Sequence, residues 1–179
     1  MNLKTVLKNR ILIFTGEGKG KTTAALGMSL RAVGHGMKVC VIHFVKSRKN
    51  VGEVLAISEI SNIDQHITGL GFLPDPNSPE FQNHVNAARA GFELAKEMLA
   101  SKNYDLVVLD EICWAVYRNL IPESEVLSLP ELMKENSTLV LTGRFASERL
   151  IEIADTVTEM KKIKHAYELG VAAQEGVEK

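Results

Sequence analysis

The stretch TGEGKGKTT, residues 15–23, constrains this chain more than any other. Its alternate glycines, Gly16, Gly18 and Gly20, stand between the apolar run ILIF (11–14) and the helix-forming run TTAALGMSLRAVG (22–34). Glycine lets a backbone turn its N–H groups toward an anion with no Cβ in the way. The first turn of a helix offers the same anion its unpaired N–H groups and the positive end of its dipole. A strand, a glycine turn and a helix in that order therefore predict a phosphate cradle built from Thr15, Gly16, Glu17, Gly18, Lys19, Gly20, Lys21, Thr22 and Thr23. Lys21 would supply a point charge and Thr22 a hydroxyl suited to Mg²⁺. Lys19 reads either as a solvated loop charge or as a second anion contact. The common pattern G-x-x-x-x-G-K-[ST] asks for glycine five residues before Gly20, where this chain has Thr15 and puts its glycine one place later.

Short apolar runs alternate with helical patterns along the rest of the chain. KVCVIHFV (38–45), IDQHIT (63–68), YDLVVLDE (104–111), STLVLTGR (137–144) and TVTEMKKI (156–163) read as strands. Ser78 and Pro79 look like a helix start, followed by Phe81, Val85, Ala88, Phe92, Ala95 and Leu99 on one face of a five-turn helix. PESEVLSLPELM predicts one or two short helices, and SERLIEIAD a helix capped by Ser147. Such alternation implies one three-layer α/β domain over residues 1–179, with a mainly parallel sheet covered on both faces. Ligands of these sheets sit at the carboxyl ends of the strands. Residues 16–22, 43–46, 68–72, 110–111 and 142–144 should then share one edge.

At that edge the sequence offers further chemistry. Asp110 and Glu111 follow four apolar residues, the Walker B arrangement that sets an acid beside Mg²⁺. Which of the two acids would bind directly is open. Arg144 could fork onto a phosphate or simply begin a surface loop, and Lys46 has the same two readings. Trp114 and Tyr117, one helical turn apart, read as core. The loop TGLGFLPDPNSP (68–79) shows Leu70, Phe72 and Leu73 among glycines and prolines. Leaving a phenylalanine in water forgoes roughly 1.5–3 kcal/mol, so Phe72 is expected to cover something, a large flat apolar substrate being one candidate.

Composition removes other classes. A net charge of −1 with interleaved signs gives no basic stripe for nucleic acid. Five scattered histidines and two distant cysteines, Cys40 and Cys113, form no transition-metal pattern and read as ordinary side chains with buried thiols. No apolar run approaches the ~20 residues of a membrane span, and the start of the chain shows no secretory signal, so a cytoplasmic location is expected. The cradle alone leaves open which bond of a nucleotide breaks. Lysine and magnesium would stabilise a γ-phosphoryl group in transit, or a triphosphate leaving the ribose 5′-carbon, equally well.

The sequence resembles the P-loop type ATP:corrinoid (cob(I)alamin) adenosyltransferases over about residues 10–177. The resemblance is carried by FTGEGKGKTTAALG (14–27), RAVGHG (31–36), HFVKS (43–47), GE (52–53), GF (71–72), VVLDEI (107–112), LTGR (141–144), ADTVTEM (154–160) and IKHAYELGVAAQEG (163–176). It implies a P-loop NTPase-like (RecA-like) fold and transfer of the 5′-deoxyadenosyl group of ATP to a Co(I) corrinoid, with triphosphate leaving. It further implies Gly18, Gly20, Lys21 and Thr22 on the triphosphate, Thr22 and Glu111 at Mg²⁺, and Phe72 against the lower face of the corrinoid. Lys21, Phe72 and Glu111 become the catalytic candidates, Arg144 a phosphate contact, Phe72 and Leu73 the corrinoid contacts, and Asp110 a further metal candidate. A homodimer and an external reductant, such as a flavoprotein, are implied as well. Two departures stand out: Leu73-Pro74 follow Gly71-Phe72 where the family commonly has Thr-Trp, and Phe145 follows Arg144 where a small residue is usual. The N-terminal arm that can cover the site in relatives is short here. The rival readings are a small-molecule kinase or ATPase, and a corrinoid-binding protein without catalysis.

Overall fold

The computed structural model describes residues 8–47 and 51–177, so the N-terminal arm expected before the first strand lies largely outside the described residues. The elements follow as β1 (Arg10–Thr15), α1 (Lys21–Gly34), β2 (Val39–His43), α2 (Gly52–Ser58), β3 (Ile63–Ile67) and α3 (Phe81–Ala100). The second half gives β4 (Leu106–Asp110), α4 (Ile112–Tyr117), α5 (Glu123–Ser128), β5 (Thr138–Thr142), α6 (Glu148–Glu152) and β6 (Thr156–Glu159). Single 3₁₀ turns occupy Leu129–Leu132 and Ala166–Leu169.

All six strands form one sheet in the order β3-β2-β4-β5-β1-β6, and every pairing is parallel. Successive strand residues face opposite sides, and the apolar runs serve both. Ile11, Ile13, Ile42, Val107, Leu109, Leu139 and Leu141 join Phe92, Ala95 and Leu99 of α3 and the α4–α5 region in one core. Leu12, Phe14, Val39, Val41, Leu106, Val108 and Val140 join Ala25 and Leu26 of α1 and Ile57 of α2 in the other. Two buried faces explain why these strands read as continuous apolar runs. The three-layer expectation holds. Among the described residues no helix is long and apolar enough to cross a membrane.

The local expectations are corrected in three places. The last strand stops at Glu159 rather than 163, because it is an exposed edge strand that pairs only with β1. α3 begins at Phe81, two residues after Pro79; Phe81 N donates to Ser78 O (3.0 Å), closing a turn that precedes the helix, and Glu80 at the cap position makes no side-chain cap. Helix α2 has no counterpart among the expected elements. By contrast Ser147 caps α6 as expected, its hydroxyl accepting from Leu150 N (3.2 Å).

Candidate functional site

The phosphate loop joins the end of β1 to α1, and its glycines have a tertiary cause. Gly16 and Gly20 hold φ of +94° and +107°, in the region that side chains avoid. A Cβ on Gly16 or Gly18 would lie 2.6 Å from Met160 O, just past β6. Gly18 N donates to that carbonyl (2.6 Å), and Met160 N donates to Thr15 O (2.8 Å). The glycine that looked misplaced in the motif is thus the residue over which the β6 exit can pass. Lys21, buried at the start of α1, crosses the loop and donates from Nζ to Gly16 O and Gly18 O, both at 2.8 Å. Burial lowers its pKa, while the charges of Glu111, Asp110 and Glu17 raise it.

Asp110 is the hub behind this loop. Fully buried at the end of β4, its Oδ1 accepts from Thr22 Oγ1 (2.8 Å) and Thr142 Oγ1 (2.8 Å), while Oδ2 pairs with His43 Nδ1 (2.8 Å). Nδ1 donates to this carboxylate, and in the neutral ring His43 Nε2 then accepts from Gln65 Nε2 (2.9 Å). A chain of hydrogen bonds therefore runs Gln65, His43, Asp110, Thr22 across β3, β2 and β4 into the phosphate loop. Burial pushes the Asp110 carboxyl up, but His43, Lys46 and Thr22 together hold it below its ordinary value. His43 was placed at the ligand edge by its strand alone; nothing local in HFVKS announces a partner 67 residues away.

Glu111 differs from its neighbour. It sits in left-handed backbone (φ 65°) as the cap residue of α4, its N–H donating to Thr142 Oγ1 (2.9 Å). Its carboxyl lines the open cleft, where burial and the Asp110 charge raise its pKa against the pull of Lys21, Arg144 and Lys46. A desolvated carboxylate repelled by a second one is what a divalent cation relieves, and a cation here would have Glu111 and the Thr22 hydroxyl at hand. The Asp110 oxygens already hold three hydrogen bonds, so this acid suits the role of orienting Thr22. Among the described residues no group of three or more His, Cys, Asp or Glu side chains forms a metal cage.

The cleft itself has a volume of about 840 Å³. Glu17, Gly18, Lys19, Gly20, Lys21, Thr22 and Thr23 line its floor, with Lys46, Glu53, Glu111 and Arg144 around it. Lys46 is held by Glu53 and stands 4.0 Å from Asp110 Oδ2. Toward α2 the walls turn apolar with Leu26, Leu30 and Ala56, and the tail contributes His165 and Val177. Thr15 does not line this cleft; it is buried, and its hydroxyl accepts from Ala146 N (3.2 Å). Gly16 lies under Met160.

Residues 68–74 fold back over the end of β2, with Gly71 N donating to Val45 O (2.8 Å) and Gly69 so close that a Cβ would meet Val45 C at 2.4 Å. That turn leaves Phe72 97% exposed, so among the described residues it covers nothing. Leu73, expected beside it at the surface, is instead 8% exposed and belongs to the core under α3 and α4. Trp114 and Tyr117 also depart from the core reading. They stack at 5.4 Å between ring centroids, Phe145 lies 4.4 Å from Tyr117 and 5.7 Å from Trp114, and Tyr117 and Phe145 stay 54% and 44% exposed.

A sequence profile of the family described as ATP:corrinoid adenosyltransferase BtuR/CobO/CobP matches residues 8–178. The chain is similar to the corrinoid adenosyltransferase of Escherichia coli (strain K12), 39% identical over 168 residues covering 94% of this chain and 84% of that protein. It is likewise similar to corrinoid adenosyltransferase CobA of Salmonella typhimurium, at 38% identity over the same shares. Among solved structures, a KaiC-like protein from Pyrococcus horikoshii superposes with a TM-score of 0.51 at 18% identity, over 89% of this chain and 75% of that one, a likeness of fold.

Proposed function

Because the chain belongs to the ATP:corrinoid adenosyltransferase BtuR/CobO/CobP family, and so among the transferases, we propose that it moves the 5′-deoxyadenosyl group of ATP onto the cobalt of a reduced corrinoid. Co(I) attacks the ribose C5′ with its electron pair. The C5′–O bond breaks, and inorganic triphosphate leaves with the bonding pair. On this reading the loop 17–23 cradles the leaving group, and Lys21 turns from the loop carbonyls to the phosphate oxygens as charge develops there. Mg²⁺, when bound, would neutralise part of that charge beside Thr22 and Glu111. Asp110 would fix the Thr22 hydroxyl, and Arg144 would reach the triphosphate from the end of β5. The apolar wall of Leu26, Leu30 and Ala56 suits the nucleoside.

The observation that carries this reading beyond a phosphoryl transferase is Phe72. A kinase or ATPase needs no phenylalanine held 97% exposed on a loop that packs on Val45 and Ser47, either side of the cleft residue Lys46. A second substrate with a broad apolar face does. Pressed against the lower face of the corrinoid, Phe72 would keep an axial ligand off the cobalt and so make Co(II) easier to reduce. We read residues 1–179 as one domain carrying this activity, in the cytoplasm, as a homodimer supplied by an external one-electron donor such as a flavoprotein.

The deciding experiment is a product assay. With Mg²⁺, ATP and chemically reduced cobalamin, the protein should yield adenosylcobalamin and intact triphosphate in equal amounts. Release of orthophosphate or diphosphate without a cobalt–carbon bond would return the chain to the kinase or ATPase class.

A further inference from the structure

Trp114, Tyr117 and Phe145 form an aromatic shelf that the phosphate cradle does not use. Each ring comes from the carboxyl edge of the sheet: Trp114 and Tyr117 from α4 after β4, Phe145 from the turn after β5. The turn is strained to make this possible. Phe145 holds φ +57°, a left-handed conformation uncommon outside glycine, Asn and Asp. Gly143 before it, at φ +135°, passes so close to α4 that a Cβ would meet Trp114 N at 2.7 Å. Strain of this kind persists where surrounding structure holds it, and it clusters at binding sites. A core role would bury the rings, yet two of the three remain about half exposed.

The shelf is tied to the Phe72 loop. Arg118, one residue past α4, donates from Nη2 to Pro74 O (3.2 Å) and lays its guanidinium over Trp114 at 5.3 Å. Beside Tyr117 and Phe145 a groove of about 510 Å³ continues over Val116, Ile121 and Pro122, rimmed by Asn119, Ser147 and Glu123, the last already paired with Ser147 and Arg149. An aromatic surface next to an arginine suits the stacking of a heteroaromatic base attached through a phosphodiester. Complete corrinoids carry such a base on a loop from the lower face of the ring, and corrinoids lacking that loop do not.

We propose that this shelf receives the lower base of the corrinoid once Phe72 has taken the axial position, and that it thereby discriminates complete corrinoids from those without the loop. The inference rests on the adenosyltransferase reading above. Phe72 displaces the base from cobalt, and the base stacks on Tyr117 and Phe145 with its phosphodiester toward Arg118. Displacement then no longer leaves an aromatic group in water, which lowers its cost for the complete substrate alone.

The test compares two probes, cob(II)alamin and cob(II)inamide, binding to the intact protein with ATP present. Trp114 is the only tryptophan in the chain, so its emission, quenched by energy transfer to a corrinoid, gives the titration signal. The informative quantity is the shift of the midpoint, since quenching itself occurs wherever the corrinoid sits. Phe145→Gly removes a ring and relieves the left-handed backbone, so this variant should unfold no earlier than the parent. Tyr117→Ala supplies a second removal. Each should weaken cob(II)alamin binding by about fivefold or more, the worth of an aromatic stack, and leave cob(II)inamide within about twofold. Equal weakening of both probes would put the corrin ring, not the base, on the shelf. No change in either, or an earlier unfolding of Phe145→Gly, would make the rings structural. Each of these overturns the proposal. Failure to bind either probe, or to form adenosylcobalamin, would instead sink the adenosyltransferase reading itself.

Discussion

At the scale of single residues, the site turns on how the Asp110 carboxylate is occupied. Thr22 and Thr142 donate to one oxygen and His43 to the other, all within 2.8 Å. Removing the His43 donor would leave a buried carboxylate oxygen short of a partner, a loss of about 1–3 kcal/mol. His43→Leu is therefore expected to lower stability by that amount and to raise the Mg²⁺ concentration needed for half-maximal activity, because Thr22 loses its orientation. His43→Asn keeps a donor at the Nδ1 position and should recover most of the metal dependence. Denaturant titration and a Mg²⁺ titration of activity check the two effects. Equal Mg²⁺ dependence in both variants would make His43 a packing residue. Lys21 and Thr22 were legible in the sequence because the motif that places them is contiguous. His43 was not, since its partner arrives through strand pairing. Met160 escaped for the same reason, and Leu73 was misread because a loop gives no periodicity from which to tell in from out.

At the scale of elements, apolar runs revealed the strands but not their order. Three of the six strands, β2, β4 and β5, are short runs buried on both faces or nearly so, and such runs announce themselves. The order β3-β2-β4-β5-β1-β6 depends on which strands meet, and this is where Asp105 matters. At the entrance to β4 its carboxylate accepts from Lys38 N (2.9 Å) and pairs with Lys134 (2.7 Å), while its N–H donates to Lys38 O (2.8 Å) and its carbonyl accepts from Thr138 N (2.9 Å). One residue thereby ties the starts of β2, β4 and β5. Lys134 first, then the Lys38 backbone, hold its pKa below the ordinary aspartate value. A depressed carboxyl stabilises the fold above its unfolded pKa, about 3.9, and loses that contribution as pH falls through the folded value. Asp105→Asn should thus cost about 0.5–1 kcal/mol at pH 7, reduced by partial exposure. The gap to the parent should begin to narrow below about pH 4 and go on narrowing as pH falls further. Urea titrations of both proteins at pH 7 and pH 3.5 measure it, and a pH-independent gap would assign the effect to shape rather than charge.

At the scale of the whole molecule, the last stretch of the chain is the part the sequence left least explained. Beyond β6 it passes Met160 over the glycine loop, then runs on with Ile163 84% and Tyr167 79% exposed and with Leu169 and Val171 also open to water. Four large apolar side chains in nine residues, none of them buried among the described residues, are more than scattered surface residues usually amount to. His165 and Val177 from the same stretch line the nucleotide cleft, so whatever covers these side chains also steadies one wall of the site. A second copy of the chain is the partner that the homodimer reading supplies. Ending the chain at Lys161 keeps the Met160 contact and, among the described residues, removes exposed ones and the half-buried His165, so the shortened protein should melt within about 3 °C of the parent. It should also run as a monomer in light scattering where the full chain runs as a dimer, and bind ATP about tenfold more weakly. A full chain that stays monomeric at tens of micromolar would remove the dimer from this account, and the loss of ATP affinity would then measure the tail's own contact with the nucleotide.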